Sequence, residues 1–236
     1  MIPSIQRKIA ALVISLAIQV ISLTGMAYAA IAPTVTNLSP VTSGVMTPQR
    51  MAVYNPQGFP ETATFYVADP RSGGVQVYNA YNALVKTIKT AAAPKAVAIG
   101  TAGTTSGKLI VSQGSIVSVY DPSTGAELSR LKNSSGSADY AFKSSDGVAV
   151  DGAGNIWVID TLDTNPILAF TSNGLYSAKS GNNYVLATAV AIDTTSSPNK
   201  IYVVDTGRGG CYVSTISGTT AAWSYTIGAL LPKGTA

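Results

Sequence analysis

Four segments of the 236-residue chain share one frame, and that repetition constrains the fold more than any single motif. The clearest copies are "DGVAVDGAGNIWVID" (146–160) and "TAVAIDTTSSPNKIYVVD" (188–205). "PKAVAIGTAGTTSGKLIVS" (94–112) keeps the frame with Gly100 and Ser112 in the Asp positions, and "PQRMAVYNPQGFPETATFYVAD" (48–69) keeps it with a longer turn. Each reads as a short apolar strand, a turn opening on a small or acidic residue, and a second strand. Aligned on Ala52, Ala98, Ala149 and Ala191, the copies are spaced by 46, 51 and 42 residues.

Every unit continues with a third strand, at "VQVYN" (75–79), "IVSVYD" (116–121), "ILAFT" (167–171) and "CYVST" (211–215). A fourth follows at "LVKTIK", "AELSRL", "GLYSAK" and "AWSYTI". Four short strands per unit of 40 to 50 residues, punctuated by turns, are the pattern of a β-propeller blade. A helix is excluded because the apolar runs are four to six residues long and are broken by Gly, Asn and Pro. Runs such as Ile156-Trp157-Val158-Ile159 and Ile201-Tyr202-Val203-Val204 are apolar throughout, as expected of strands covered on both faces by neighbouring sheets. The expectation is an all-β chain of four blades of about four antiparallel strands. Three forms stay open: a small closed ring, an open array completed by another copy, or an incomplete one.

The aspartates fit this scaffold. Asp151-Gly152-Ala153-Gly154-Asn155 is the hairpin between the first two strands of the third unit, where acid and amide cap the turn and the glycines take positive φ. Asp193 opens the corresponding turn of the fourth unit. A calcium loop would need ligands at alternating positions and a bidentate acid at its end, and Ile156 and Trp157 follow instead. Asp69, Asp160 and Asp205 close the second strand of three units, placed to accept N–H bonds from the turn that follows. One active site would not need three such acids in different units. All five are assigned to the fold, and none to a metal.

"KIYVVDTGRGG" (200–210), "TFYVADPRSGGVQVYN" (64–79) and "GNIWVIDT" (154–161) resemble the repeat of the NHL family of β-propellers. "SIVSVYDPSTGAEL" (115–128) in the second unit is more similar to YVTN or PQQ-type blades. The resemblance covers roughly residues 48 to 227 and implies a propeller; it implies no particular activity, because propellers host many. NHL propellers commonly have six blades, whereas four are visible here.

Residues 1–29 read as a secretory signal: Arg7 and Lys8, an apolar stretch from Ile9 to Leu23, then Ala27-Tyr28-Ala29 as a cleavage site. Retention as an anchor is the alternative. The expectation is export to the periplasm or the extracellular space, with no membrane span after cleavage. Residues 30–47 include "APTVTNLS", able to supply a ring-closing strand, and 48–236 form the repeat domain. Without the leader the charge is 13 basic against 11 acidic residues, which is no nucleic-acid signature.

Histidine is absent, which removes the imidazole general base, a Ser-His-Asp triad and most transition-metal sites. Cys211 is alone, so no internal disulfide forms. No catalytic residue and no cofactor are assigned. Function is expected on the loops joining strands two to three and each unit to the next. Arg71 and Arg208 occupy equivalent turns and suit an acidic group; Asp163 and Tyr140 are further binding candidates. The leading expectation is an exported, non-enzymatic NHL-like scaffold for a protein, ligand or surface partner, with self-association through an open blade edge. A lactonase or lyase with a metal on the central axis is one alternative, and a structural subunit of a cell-surface assembly is another.

Overall fold

The computed structural model describes residues 44–180 and 184–222. They form four antiparallel sheets, each a four-stranded meander in chain order. The first holds β1 (Arg50–Tyr54), β2 (Thr64–Asp69), β3 (Gly74–Asn79) and β4 (Leu84–Lys89). The second holds β5 (Ala96–Ile99), β6 (Leu109–Ser112), β7 (Val117–Tyr120) and β8 (Glu127–Arg130). The third comprises β9 (Ser145–Val150), β10 (Ile156–Asp160), β11 (Ile167–Phe170) and β12 (Tyr176–Ser180). The fourth comprises β13 (Ala187–Asp193), β14 (Lys200–Asp205), β15 (Gly210–Ser217) and β16 (Thr220–Ala222). Each of the four repeats thus becomes one sheet.

Of the fourth strand of the last unit, expected at "AWSYTI", only Ala222 lies among the described residues, as the end of β16. Ser217 pairs with Thr220, so β15 turns back after two residues, Gly218 and Thr219, and β16 begins earlier. A tight two-residue hairpin needs no periodic signal beyond it. The expected strand beyond Ala222, the signal segment and the ring-closing segment up to residue 43 lie outside the described residues.

Neighbouring sheets pack face to face, and the alternation of side chains along each strand decides which layer a residue joins. Between the first and second sheets lie Tyr66, Val75, Val77, Ile88, Leu109 and Val111. Between the second and third lie Ile110, Val117, Val119, Ile156, Val158 and Phe170. Between the third and fourth lie Trp157, Ile159, Ile167, Ile201, Val203 and Ile216. Strand β10 is therefore buried throughout, Ile156 and Val158 facing one neighbour, Trp157 and Ile159 the other. In the fourth sheet Ile201 and Val203 are buried, while Tyr202 and Val204 are only partly covered. The expectation of burial on both faces holds for the interior sheets and not for this one, since its far face meets no fifth sheet among the described residues.

The acids at the ends of β2, β10 and β14 are fully buried and tie each sheet to the chain that enters it. Asp69 accepts the N–H groups of Met46 at 2.5 Å and Thr47 at 2.9 Å. Asp160 accepts those of Lys143 at 2.8 Å and Ser144 at 2.7 Å. Asp205 takes Val185 and Leu186, both at 2.9 Å. Asp69 and Asp205 also accept N–H bonds from the turns that follow them, at Arg71 and Gly207. In the second sheet, where Ser112 replaces the acid, the Gln113 side chain accepts the Ala92 N–H at 2.9 Å and makes the equivalent tie.

Burial alone would raise the Asp69 pKa, but the N–H groups of Met46 and Thr47, the Thr47 hydroxyl and the Arg71 N–H hold it below the ordinary aspartate value of 3.8. The depressed carboxylate contributes stability that is present above that value and is lost as pH falls through the lower folded value. Urea melts between pH 5 and 2 are expected to show wild-type stability falling below about pH 4. Asp69→Asn, less stable at pH 7, is expected to fall less steeply over the same interval. Parallel slopes would contradict this account.

Candidate functional site

Three residues before each aligned alanine stands a polar residue: Gln49, Lys95, Asp146 and Thr188. These positions lie at or just before the first strand of each sheet. In the third and fourth sheets the residue is extruded by a β-bulge. Ile159 pairs with Gly147 and Asp160 with Ser145, leaving Asp146 unmatched. Likewise Val204 pairs with Ala189 and Asp205 with Ala187, leaving Thr188 unmatched. A bulge bends the strand and re-aims one residue, a device frequent beside functional sites.

The first strands of successive sheets contact one another: β1 with β5, β5 with β9, and β9 with β13. Around them a polar centre draws on all four sheets. Lys95 Nζ lies 2.5 Å from Asp146 Oδ1 and 3.0 Å from Ser144 Oγ. Ser144 Oγ donates to Asp146 Oδ2 at 3.1 Å. From the first sheet, Arg50 Nη2 donates to the Thr188 carbonyl of the fourth at 2.5 Å. The fold sets these groups in place: the Asp160 carboxylate holds the Ser144 main chain, and the Lys95 N–H donates to Ser112 O at 2.8 Å.

Two cations, Arg50 and Lys95, face the Asp146 carboxylate, and the buried Asp160 carboxylate stands behind Ser144, its charge turned to the main-chain N–H groups of Lys143 and Ser144. Burial lowers the Arg50 pKa, and the nearby Asp146 charge works against that. Burial would raise the Asp146 pKa, but the Lys95 hydrogen bond and charge, with the Ser144 hydroxyl, leave it below the ordinary aspartate range. A carboxylate so held is a weak general base. Among the described residues one acceptor, Thr188 O, bonds the Arg50 guanidinium, which carries five N–H donors. The arrangement is suited to holding an anion rather than to moving a proton.

The candidates read from the turns sit elsewhere. Arg71 and Arg208 are exposed in equivalent turns of the first and fourth sheets, and each donates its main-chain N–H to its unit's acid at 3.2 Å. Asp163 and Tyr140 share a neighbourhood on the third sheet. Asp163 faces Lys143 at 3.8 Å and Lys179 at 3.9 Å. Tyr140 belongs to an aromatic cluster, its ring centroid 4.8 Å from Phe142, 5.2 Å from Phe170 and 5.1 Å from Tyr176. Burial, with the charges of Tyr176 and Asp163, pushes its pKa up to about 12.

Asp151 is buried within its own turn. It accepts the N–H groups of Ala153 and Asn155, the Asn155 amide and, at 3.0 Å, the Trp157 indole N–H. Asp193 takes the N–H and hydroxyl groups of Thr195 and Ser196; the two hydroxyls and the Thr195 N–H pull its pKa well down. Gly154 has φ +86°, but Gly152 does not take the expected positive φ. Gly152 is needed instead for a close approach. Its N–H donates to Asn199 Oδ1 at 2.8 Å, and a Cβ there would lie 2.7 Å from that oxygen.

The expectation of function on the connecting loops singles out Arg71, Arg208, Asp163 and Tyr140 and does not name Arg50, Lys95, Ser144, Asp146 or Thr188, which stand at or beside the first strands. The available signal was the polar column within otherwise apolar strands. Among the described residues, no three His, Cys, Asp or Glu side chains converge as a metal site, and no helix is long and apolar enough to cross a membrane. Cys211 is partly buried, and burial raises its thiol pKa. No protein-family model and no curated protein sequence matches the chain.

Proposed function

We propose that the protein is an exported, non-enzymatic binding scaffold of the β-propeller type, akin to NHL-repeat proteins, and that it holds an anionic ligand at the polar centre. The propeller reading is supported by four meander sheets in sequence, first strands in mutual contact, and Arg50 of the first sheet bonded to Thr188 of the fourth. The binding reading rests on one observation: four sheets contribute to one cluster in which Arg50 and Lys95 outweigh Asp146. The absence of histidine from the sequence and the ion-paired state of Asp146 favour binding over turnover.

The test is thermal. Sodium acetate and sodium phosphate are compared with sodium chloride at matched ionic strength. Acetate or phosphate is expected to raise the melting temperature saturably, by a few degrees, through mass action on the folded state. Arg50→Gln and Lys95→Gln are expected to remove most of that rise. A response identical to that of chloride, or unchanged in both variants, defeats the reading. Ester, lactone and amide substrates are expected to show no turnover above background, and saturable hydrolysis of any would replace the scaffold with an enzyme.

A further inference from the structure

The two end sheets turn apolar faces outward. On the first sheet, register puts Met51, Val53, Phe65, Val67 and Tyr78 on the face opposite the core shared with the second. Met51 is 63% exposed and Val53 47%, and a groove of about 390 Å³ runs between Val45, Pro48, Met51, Val67 and Tyr78. On the fourth sheet Tyr202 pairs with Val213 and Val204 with Cys211, on the face opposite Ile201, Val203 and Ile216. The bond from Arg50 to the Thr188 carbonyl brings these two sheets together at their inner strands. Even so, β1 and β13 do not share the close packing of the other neighbouring first strands. The two apolar faces flank that opening.

Inside the array such a face is covered by the sheet that follows, and two of the three steps between sheets have one length. Six residues, 90–95, lead from β4 to β5, and six, 181–186, lead from β12 to β13; the third step, 131–144, is longer. Each new first strand then lies against the first strand before it. Six extended residues reach about 20 Å, enough to cross the roughly 14 Å from a fourth strand to the line of the first. Six residues beyond β16, at 223–228, lead to Ala229, Leu230 and Leu231, which are apolar like Ala96-Val97-Ala98-Ile99 and are closed by Pro232.

We propose that residues 229–231 form an inner strand seated in the opening against Met51 and Val53 of β1, so that the chain covers its own exposed face. Removing the two leucines, Met51 and Val53 from water drives the docking, and none of these residues brings a charge that burial would penalise. A second copy of the chain is the weaker competitor, because a short linker holds the tethered segment at an effective concentration of about millimolar. The proposal goes beyond the anion-binding reading and does not depend on it.

Cysteine pairing on the full chain tests this, with Cys211→Ser removing the one native thiol. Met51→Cys is combined in turn with Ala229→Cys, Leu230→Cys and Leu231→Cys. As the control, Val85→Cys, also exposed but on the outer strand β4, takes the place of Met51→Cys. A disulfide needs Cα atoms within about 7 Å. At least one Met51→Cys pair is expected to close within a single chain, at least about tenfold faster than its Val85→Cys control. Hydrogen exchange needs no new thiol. The amides of 229–231 are expected to exchange at least about tenfold slower than in a free peptide of the same sequence, and Met51→Glu is expected to remove most of that protection. Bridges no faster than the control, exchange at the free-peptide rate, or protection indifferent to Met51→Glu overturns the proposal. Bridges formed only between two chains overturn it as well and assign the face to a second copy.

Discussion

Asp151→Ala is expected to lower the melting temperature by about 6–20 °C, the equivalent of about 3–5 kcal/mol in a chain of this size. The carboxylate is 1% exposed and satisfies two main-chain N–H groups, one side-chain amide and the indole N–H of Trp157, itself 1% exposed. Alanine strands all four donors. Those of the turn can reach water, because Gly152 and Ala153 are exposed, but the indole N–H lies in the layer between the third and fourth sheets. Leaving a buried donor unpaired costs more than the net value of the bond it made. Asp151→Asn retains one acceptor oxygen and is expected to recover about half of the loss. A double-mutant cycle with Trp157→Phe, which removes the orphaned donor, is expected to give a coupling of about 1–2 kcal/mol. A melting point for Asp151→Ala within about 2 °C of the wild type would remove Asp151 from the fold's essential bonds.

Gly154→Ala is the second large effect, expected at about 2–5 kcal/mol from two sources that a control can separate. At φ +86° a non-glycine residue costs about 1–2 kcal/mol. In addition, a Cβ there would lie 2.5 Å from the carbonyl oxygen of Ala102 and 2.9 Å from Thr105 Oγ1, both in the second sheet's first turn. That turn locks onto its neighbour, Thr105 Oγ1 donating to the Gly154 carbonyl at 3.0 Å. Gly73 has φ +83° with nothing within 4 Å of its added Cβ, so Gly73→Ala carries the backbone cost alone. Chemical denaturation of both variants gives the contact cost by difference, expected at about 1–3 kcal/mol. Equal losses would mean that the two turns separate freely.

The Asp151 turn also illustrates how local chemistry and neighbours divide the work. Its acid, its glycine at 154 and its asparagine were legible because a two-strand hairpin needs those residue types wherever it occurs. Gly152 was not: its requirement comes from Asn199, 47 residues away and in the next sheet. The closing acids at 69, 160 and 205 were legible as fold residues from their recurrence. Their partners at Met46, Lys143 and Val185 were not, since a carboxylate in the sequence does not declare which amides it reaches.

By itself the sequence determined the all-β class, four units of four strands and their order, because strand length, turn residues and repeat spacing are local properties carried by each unit separately. Only the tertiary structure decided that Arg50, Lys95, Asp146 and Thr188 meet, and that Tyr140 joins an aromatic cluster. Lys95 and Asp146 stand 51 residues apart, and Arg50 and Thr188 stand 138 apart. The bulges that re-aim Asp146 and Thr188 within their strands follow from the pairing with the second strands and not from either strand's own sequence. Polar groups gathered from four sheets, three of them supplying charges, acquire meaning only when packing of the apolar faces brings the first strands together.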